Sequence, residues 1–444
     1  LWAQGSYGVD ILSYTETLRA VSRTSQPFEI MRGLGYWFFY GRDKLGPWVE
    51  PGETYTDNVL VIALSYGLPI MAIVSAALLR WRQRLFFVLL LVIGAFLAIA
   101  SHPFDTPSPV GSIFKAFTRT DAGLSLRSTP RAGPLVILAT AVFLGAGVSA
   151  IGRRLPRAAL PVTGLVCLLL VANLPTLWTG DMVASNLKRD EQIPEYWQEA
   201  ADHLDQGDDD TRILEVPGTD FASYRWGNTV DPITPGLTDR AYVARELFVW
   251  GSPASANLLN AFDRRFHEDT MDAIAVAPIA QVMASGDIVL RGDLQYERFR
   301  TARPREMWAL LTSAPGLTDP VSFGPTTPNV AIDDLPLVDE IELAQGHPVE
   351  NPPAVSVFGV DPTIPMVRTH AATNPLLVAG DGDGLVDAAS IGILDPNRAS
   401  FYSASYAGPT ADAFEAVYQQ NASLLVSDTN RKRARRWGTL RETT

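Results

Sequence analysis

This 444-residue chain predicts a membrane α-helical fold class, with four transmembrane helices followed by an extracytoplasmic α/β region. Three observations predict it. Four apolar runs of membrane-spanning length lie between Val59 and Leu177, Arg-rich connections join them on one side only, and beyond Leu177 the pattern changes to alternating strands and helices. The runs cover residues 59–79, 85–100, 133–151 and 158–177. Roughly 20 helical residues cross the ~30 Å hydrocarbon layer, so the second run lies at the short end of the range.

The first two runs are joined by Arg80, Trp81, Arg82, Gln83 and Arg84, and the last two by Arg153, Arg154, Leu155, Pro156 and Arg157. Short loops this rich in Arg stay cytoplasmic. By parity, residues 1–58, 102–132 and 178–444 face outward, in a multi-pass protein of the plasma membrane. The division that follows is an outer segment 1–58, the helices of 59–177 with outer loop 102–132, an α/β domain 178–313 and a second α/β subdomain 314–444. A net charge of −12 excludes nucleic acid as a partner and suits an exported, solvated domain. The single cysteine, Cys167, falls inside the fourth run, which excludes a disulfide framework and predicts a buried structural thiol. Trp2, Tyr7, Ile11 and Leu12 read as the middle of a folded element, and Leu1 and the ending at Arg436–Thr444 read as those of an internal segment.

In the outer segment, Ser25 is placed to cap a helix starting near Pro27, with Glu29 in its first turn. Five aromatics, Tyr36 to Tyr40, then precede the first run. They fit the interfacial belt, or a wall against which a sugar or lipid could stack.

Outer loop 102–132 is the strongest candidate site. It carries His102, Lys115, Arg119, Arg127 and Arg131, with a short interfacial helix expected around residues 113–117. Positive charge on an outer loop runs against the usual topological bias, and an anionic lipid phosphate would compensate it. Arg suits that task because its planar fork takes phosphate oxygens in pairs. Arg127 and Arg131 are the leading phosphate-binding candidates, ahead of Lys115, Arg119 and His102. A set of solvated arginines is the plainer reading.

After a linker at 178–190, helical periodicity spans 193–204, and Arg212 to Val216 form a strand ended by Pro217-Gly218. The loop from Thr219 to Gly227 is rich in groups that hydrogen-bond and stack on sugars, and follows a strand as α/β sites commonly do. Helices are expected at 254–266 and 273–283 and a strand at 287–290. Beyond a Pro/Asp-rich stretch at 314–353, a last piece is expected to hold strands at 354–360, 376–379 and 423–427, with helices at 385–391 and 411–420, in a small, mostly parallel sheet. Asp381, Asp383 and Asp387 fail the calcium-loop spacing, since Leu385, Val386 and Gly392 fall where an acidic residue, Gly and Glu belong. A capped strand-to-helix turn is expected there instead. Asn421-Ala422-Ser423 is a weak glycosylation sequon, and the basic run 431–436 reads as a solvated helix face. No metal or cofactor motif is present, and the four runs lack the internal acidic residue that ion-coupled transport needs.

Several stretches carry a family resemblance. They are Arg32 through Gly41, Gly46-Pro47-Trp48, Leu126 through Arg131, Val216 through Phe221, residues 294–304, and Asp428 through Trp437. Together they resemble the actinobacterial α-(1→3)-arabinofuranosyltransferases, which are GT-C membrane glycosyltransferases. The resemblance implies a GT-C type bundle, a polyprenyl-phosphate arabinose donor and an arabinan acceptor glycan of the cell envelope, with membrane lipid around the helices. It also implies a catalytic carboxylate in a first outer loop with no counterpart here, so no catalytic residue and no cofactor are expected within this segment. The competing expectation is a non-catalytic, membrane-anchored glycan-binding or scaffolding protein.

Overall fold

The computed structural model describes residues 17–43, 46–180, 192–230, 232–246, 252–326, 329, 351–406 and 412–427. The expected features at Trp2 to Leu12, most of the 178–190 linker, the core of the 314–353 stretch and everything past 427 lie outside them. The chain divides into two compact units, residues 12–188 and 189–444.

The first unit is helical. It comprises α1 (Leu18–Thr24), α2 (Pro27–Met31), a 3-10 turn at Trp37–Tyr40, a two-stranded hairpin of β1 (Arg42–Asp43) and β2 (Gly46–Pro47), and α3 (Pro51–Asp57). Then come α4 (Val59–Leu78), α5 (Arg84–Ile99), α6 (Pro109–Phe117), α7 (Asp121–Leu124), α8 (Gly133–Arg154), α9 (Pro156–Ala172) and α10 (Pro175–Thr179). Asn58 starts α4 because its side chain accepts from the Leu60 and Val61 amides. Ser25 does not cap α2, contrary to expectation. It ends α1, and its hydroxyl donates to the Ile99 carbonyl 3.3 Å away, tying α1 to the end of α5.

Among the described residues, two helices are long and apolar enough to cross a membrane, residues 59–78 and the continuous 129–154. Of the four expected, α5 and α9 have 16 and 17 residues. The fourth run stops early because Leu174 precedes Pro175, and a residue before proline is pushed out of the α region. At the core of the helical unit, α8 packs on α4, α5 and α9, burying Ala72, Ala139 and Phe143. Gly147 permits the α4–α8 approach, since a Cβ there would lie 2.3 Å from Ser75 Oγ. Less than a third of the most apolar window of either long helix is covered by protein. The outward faces, such as Leu85, Phe86, Val92 and Phe96 on α5, are exposed and apolar, which suits hydrocarbon and not water. Cys167 lies on such a face and is exposed, not buried as expected, because a helix at the rim of the bundle covers only the stripe containing Val166 and Leu169.

In the second unit, α11 (Glu195–Leu204) is followed by β3 (Arg212–Val216), the short pair β4 (Ala222–Ser223) and β5 (Asn228–Val230), and β6 (Tyr242–Val243). Next come α12 (Pro253–His267), α13 (Ala273–Val282), β7 (Ser285–Arg291), α14 (Tyr296–Phe299), α15 (Pro304–Ser313), β8 (Val321–Thr326) and β9 (Pro353–Gly359). The unit ends with β10 (Leu376–Ala379), α16 (Gly382–Ser390), β11 (Ser400–Tyr402), α17 (Asp412–Tyr418) and β12 (Ser423–Val426). A five-stranded sheet runs β6-β3-β7-β9-β8, parallel across β6, β3 and β7 and antiparallel through β9 and β8. Side chains alternate across it: Ile213 and Val289 meet Trp197 of α11 on one face, while Leu214, Ile288 and Leu290 meet α13 and α15 on the other. Both faces are covered, which explains the near-continuous apolar runs of β3 and β7. The strand expected at the head of the last piece belongs to this sheet, because β9 pairs with β7 from Asp287↔Gly359 to Arg291↔Val355. The last piece is a separate parallel sheet, β11-β10-β12.

Candidate functional site

The residues expected to meet lipid phosphate lie in the helical unit, on the connection from α5 to α8. At its start, His102 Nδ1 sits 2.7 Å from the Ser22 carbonyl, so this nitrogen carries the proton and donates to α1. Lys115 of α6 donates to the Phe104 carbonyl at 2.8 Å, with its ammonium 3.7 Å from the centre of the Phe104 ring. Asp105 alongside is exposed and paired with Arg19 at 3.0 Å. The structure therefore brings His102 and Lys115 to a single turn, where both hold the loop against its neighbours. Arg127 is buried at 5% exposure and donates to the Leu124 carbonyl at 2.7 Å, closing the α7 turn.

Arg131 is different. It is exposed at the head of the 129–154 helix and makes no side-chain hydrogen bond, ion pair or ring contact among the described residues. Arg119, past the end of α6, is in the same condition. No Asp or Glu occurs between positions 122 and 180. A cation in the first turn of a helix also opposes the partial positive charge of its N-terminus. An anion bound beside Arg131 would relieve both.

A second cluster, not foreseen in the sequence, centres on Arg32. Its guanidinium is buried, with Nε 2.6 Å from Ser65 Oγ of α4, Nη1 2.7 Å from Glu29 and Nη2 2.7 Å from the Tyr55 carbonyl. Glu29 also accepts from the Tyr40 hydroxyl at 2.6 Å. Burial, reinforced by that carboxylate, pushes the Tyr40 phenol well above its usual range. The i,i+3 spacing of Glu29 and Arg32 was the available signal. The aromatic stretch is held in place by this cluster, and Trp37 packs edge-on to Trp48 at 6.1 Å.

In the α/β unit, the C-terminal ends of parallel β3 and β7 carry a dense set of charges. Glu215 and Arg291 are fully buried, with Oε2 and Nη1 3.2 Å apart. Asp263 accepts from the Gly218 amide at 2.5 Å and Arg245 Nε at 2.9 Å, with His267 Nε2 at 3.2 Å. Burial alone would raise the Asp263 carboxyl, but His267 and Arg245 outweigh it and hold it below the usual range. Asp220, in the expected sugar-contacting loop, is paired with Arg245. Asp293 accepts from Tyr196, Trp197 and Trp226 at 2.9, 2.9 and 2.8 Å, all on Oδ2, and desolvation raises its carboxyl. Asp263 and Asp293 Oδ2 are satisfied within the cluster, whereas both Glu215 oxygens, Arg291 Nε and Nη1 and Asp293 Oδ1 have no aligned hydrogen-bond partner among the described residues. Asp381 caps α16 by accepting from the Asp383 amide at 3.1 Å, while Asp383 and Asp387 pair with Arg264 and Arg265. The expected capped turn is the arrangement found.

With this geometry in view, comparison with known proteins places the chain. Residues 1–444 match the family model described as alpha-(1->3)-arabinofuranosyltransferase, N-terminal GT-C domain. The chain belongs to this family. It is 27% identical over 391 residues to the alpha-(1->3)-arabinofuranosyltransferase of Mycobacterium tuberculosis (strain ATCC 25618 / H37Rv), covering 82% of this chain and 26% of that protein. It is 24% identical over 398 residues to the enzyme of the same name from Mycolicibacterium smegmatis (strain ATCC 700084 / mc(2)155), covering 85% and 27%. The chain thus spans about a quarter of the length of these relatives. The cryo-EM structure of arabinofuranosyltransferase AftD from mycobacteria aligns with a TM-score of 0.58 at 20% identity, over 86% of this chain and 25% of that one. A mutant form of the same protein aligns with a TM-score of 0.60 at 20% identity, over 91% and 29%. The shared fold is that of this GT-C family.

Proposed function

We propose that this chain is the part of a membrane arabinofuranosyltransferase that receives the phosphate of a polyprenyl-phosphate arabinose donor on the outer face of the membrane, for transfer to an arabinan acceptor of the cell envelope. The observation that carries this is Arg131, an exposed cation without a partner among the described residues, at the head of their longest apolar helix, in a chain of this family. Arg119 is the second contact. Arg127, Lys115 and His102 shape the loop that presents them.

On this reading all four of α4, α5, α8 and α9 cross the bilayer. At ~1.5 Å per residue, α5 and α9 reach about 24 and 26 Å, within a few Å of the ~30 Å layer, and local thinning covers the difference at small cost. The packing supports the order of crossing. Gly94 of α5 abuts Leu135 and Val136 of α8, and Gly67 of α4 abuts Leu169 of α9, so neighbouring helices alternate in direction. Both Arg-rich connections then share the cytoplasmic end, and residues 178–444 are extracytoplasmic. The catalytic carboxylate is supplied by a part of the parent protein outside positions 1–444.

The test is polyprenyl-phosphate binding and arabinosyl transfer by the full-length parent carrying Arg131→Glu or Arg119→Glu. Each lost charge-assisted contact, worth about 1.5–3 kcal/mol, weakens donor binding by roughly tenfold or more. Donor affinity unchanged in both variants removes the loop from the site. Cysteine labelling of intact cells tests the orientation: a probe excluded by the membrane reaches Lys115→Cys and not Arg154→Cys.

A further inference from the structure

At the opposite end of the helical bundle, a cavity of about 440 Å³ opens between the α4–α5 connection and the last turns of α8. Arg80, Arg153 and Arg154 line it together with Trp81, while Leu79 and Val142 provide an apolar wall. We propose that this cavity binds the phosphate headgroup of an anionic phospholipid, with the acyl chains lying along that wall. The proposal rests on the helices being embedded in a membrane, and holds whichever leaflet this end faces.

Three observations carry it. The first is the charge balance: no Asp or Glu occurs from position 58 to 104 or from 122 to 180, so nothing in either connection or in the four helices neutralises these arginines. The second is how the arginines are used. Arg84 satisfies the end of α4, donating to the Ala76 carbonyl at 2.8 Å, and Arg153 donates to Ser149 at 2.9 Å. Arg80 and Arg154 are exposed, line the cavity and make no side-chain hydrogen bond, ion pair or ring contact among the described residues. Capping of helix ends therefore accounts for Arg84 and leaves these two without an acceptor. The third is shape. The volume falls in the range that holds a small organic group, and the Trp81 ring is fixed edge-to-face on Phe143 at 5.5 Å. A fixed indole beside guanidinium groups and an apolar wall matches the junction of headgroup and acyl chain. Basic pockets between membrane helices recognise anionic headgroups in this way, and a solvated topological signal would need neither the cavity nor the wall.

The experiment is native mass spectrometry of the chain purified in mild detergent, stripped of lipid and offered phosphatidylglycerol or phosphatidylcholine, with inorganic phosphate as a separate probe. Phosphatidylglycerol is expected to be retained in preference to phosphatidylcholine. Each of Arg80→Gln and Arg154→Gln lowers retention by about fivefold, and Arg82→Gln, which does not line the cavity, leaves it unchanged. Both targeted side chains are exposed, so the thermal unfolding midpoint should hold; if the double variant unfolds, the two single variants carry the test. Equal retention of both lipids, wild-type retention in both Gln variants, or release of the lipid by inorganic phosphate would overturn the proposal. Arg131→Glu, the variant that tests the donor site, is expected to leave this retention intact, so the two readings fail separately.

Discussion

Breaking the buried Glu215–Arg291 pair should destabilise the α/β unit, and removing both charges together should not. Both side chains are fully inaccessible, and their nearest atoms are 3.2 Å apart. At an effective dielectric of about 20, that separation gives roughly 5 kcal/mol of attraction. Withdrawing two ions from water costs several kcal/mol each, so the pair roughly breaks even against an apolar replacement. The geometry favours the apolar side of that balance: among the described residues neither Glu215 oxygen is aligned as a hydrogen-bond acceptor, and Arg291 Nε is likewise unsatisfied. Arg291→Met alone strands the Glu215 charge and is expected to cost about 3–5 kcal/mol, as is Glu215→Leu alone. The double variant loses the Arg291 bond to the Pro217 carbonyl, worth about 1 kcal/mol, and is otherwise neutral or more stable than the native pair. Urea unfolding followed by the fluorescence of Trp197 and Trp226, on the same face of the sheet, reads all four corners of the cycle. If the single variants cost under about 1 kcal/mol, or if their costs simply add in the double, the pair is not the desolvated, coupled unit described.

Arg32→Lys removes the planar fork that reaches Ser65, Glu29 and the Tyr55 carbonyl at once, and should lower the stability of residues 12–188 by about 2–4 kcal/mol in a detergent melt. Because Asp263 is held below its unfolded value of about 3.9, its stabilising contribution is present above pH ~4 and is lost as pH falls through the folded value. Asp263→Asn should therefore cost stability at neutral pH and flatten the acid limb, and an unchanged acid limb counts against the cluster. Residues 192–427 should unfold as one cooperative transition when expressed alone, since both sheets and their covering helices lie within them. A non-cooperative melt, or failure to fold, would show that the sheets depend on the helical unit.

How much of this was legible depends on how far apart the deciding residues lie. Arg212 to Val216 read correctly as a strand because five residues of β-forming character end at Pro217-Gly218, and the same local logic found Leu376 to Ala379 and the Asp381 cap. Ser25 misled because a serine before a proline-led helix has the right local look, while its actual partner, the Ile99 carbonyl, is 74 residues away. Strand β9 was visible but not its sheet: its pairing with β7 crosses a long proline-rich stretch that local pattern cannot bridge. Arg131 and Arg127 looked alike in the loop, and only the fold separates the exposed cation from the one closing a turn. Beyond the i,i+3 spacing of Glu29 and Arg32, the Arg32 and Asp293 clusters could not be read, because their donors and acceptors come from positions 29 to 65 and 196 to 293, and each is chosen by packing.

The arginines of the helical unit divide by what they touch. Arg32, Arg84 and Arg127 are committed to protein acceptors. Arg119 and Arg131 at one end of the bundle, and Arg80 and Arg154 at the other, have no such acceptor among the described residues. Arg131 and Arg154 lie on the continuous helix 129–154, 23 residues apart. At ~1.5 Å per residue this is about 35 Å, more than the ~30 Å hydrocarbon core and less than the ~40–45 Å that includes the headgroups. On the proposed topology one helix thus carries to headgroup depth, on each side, a guanidinium without a partner among the described residues, in a stretch of chain without a single carboxylate. Phosphate is the anion that both proposals place there. In the two proposals it belongs to the sugar donor beside Arg131 and to a structural lipid beside Arg154, so charge reversal at Arg131 should change turnover, while neutralising Arg154 should change which lipids stay bound.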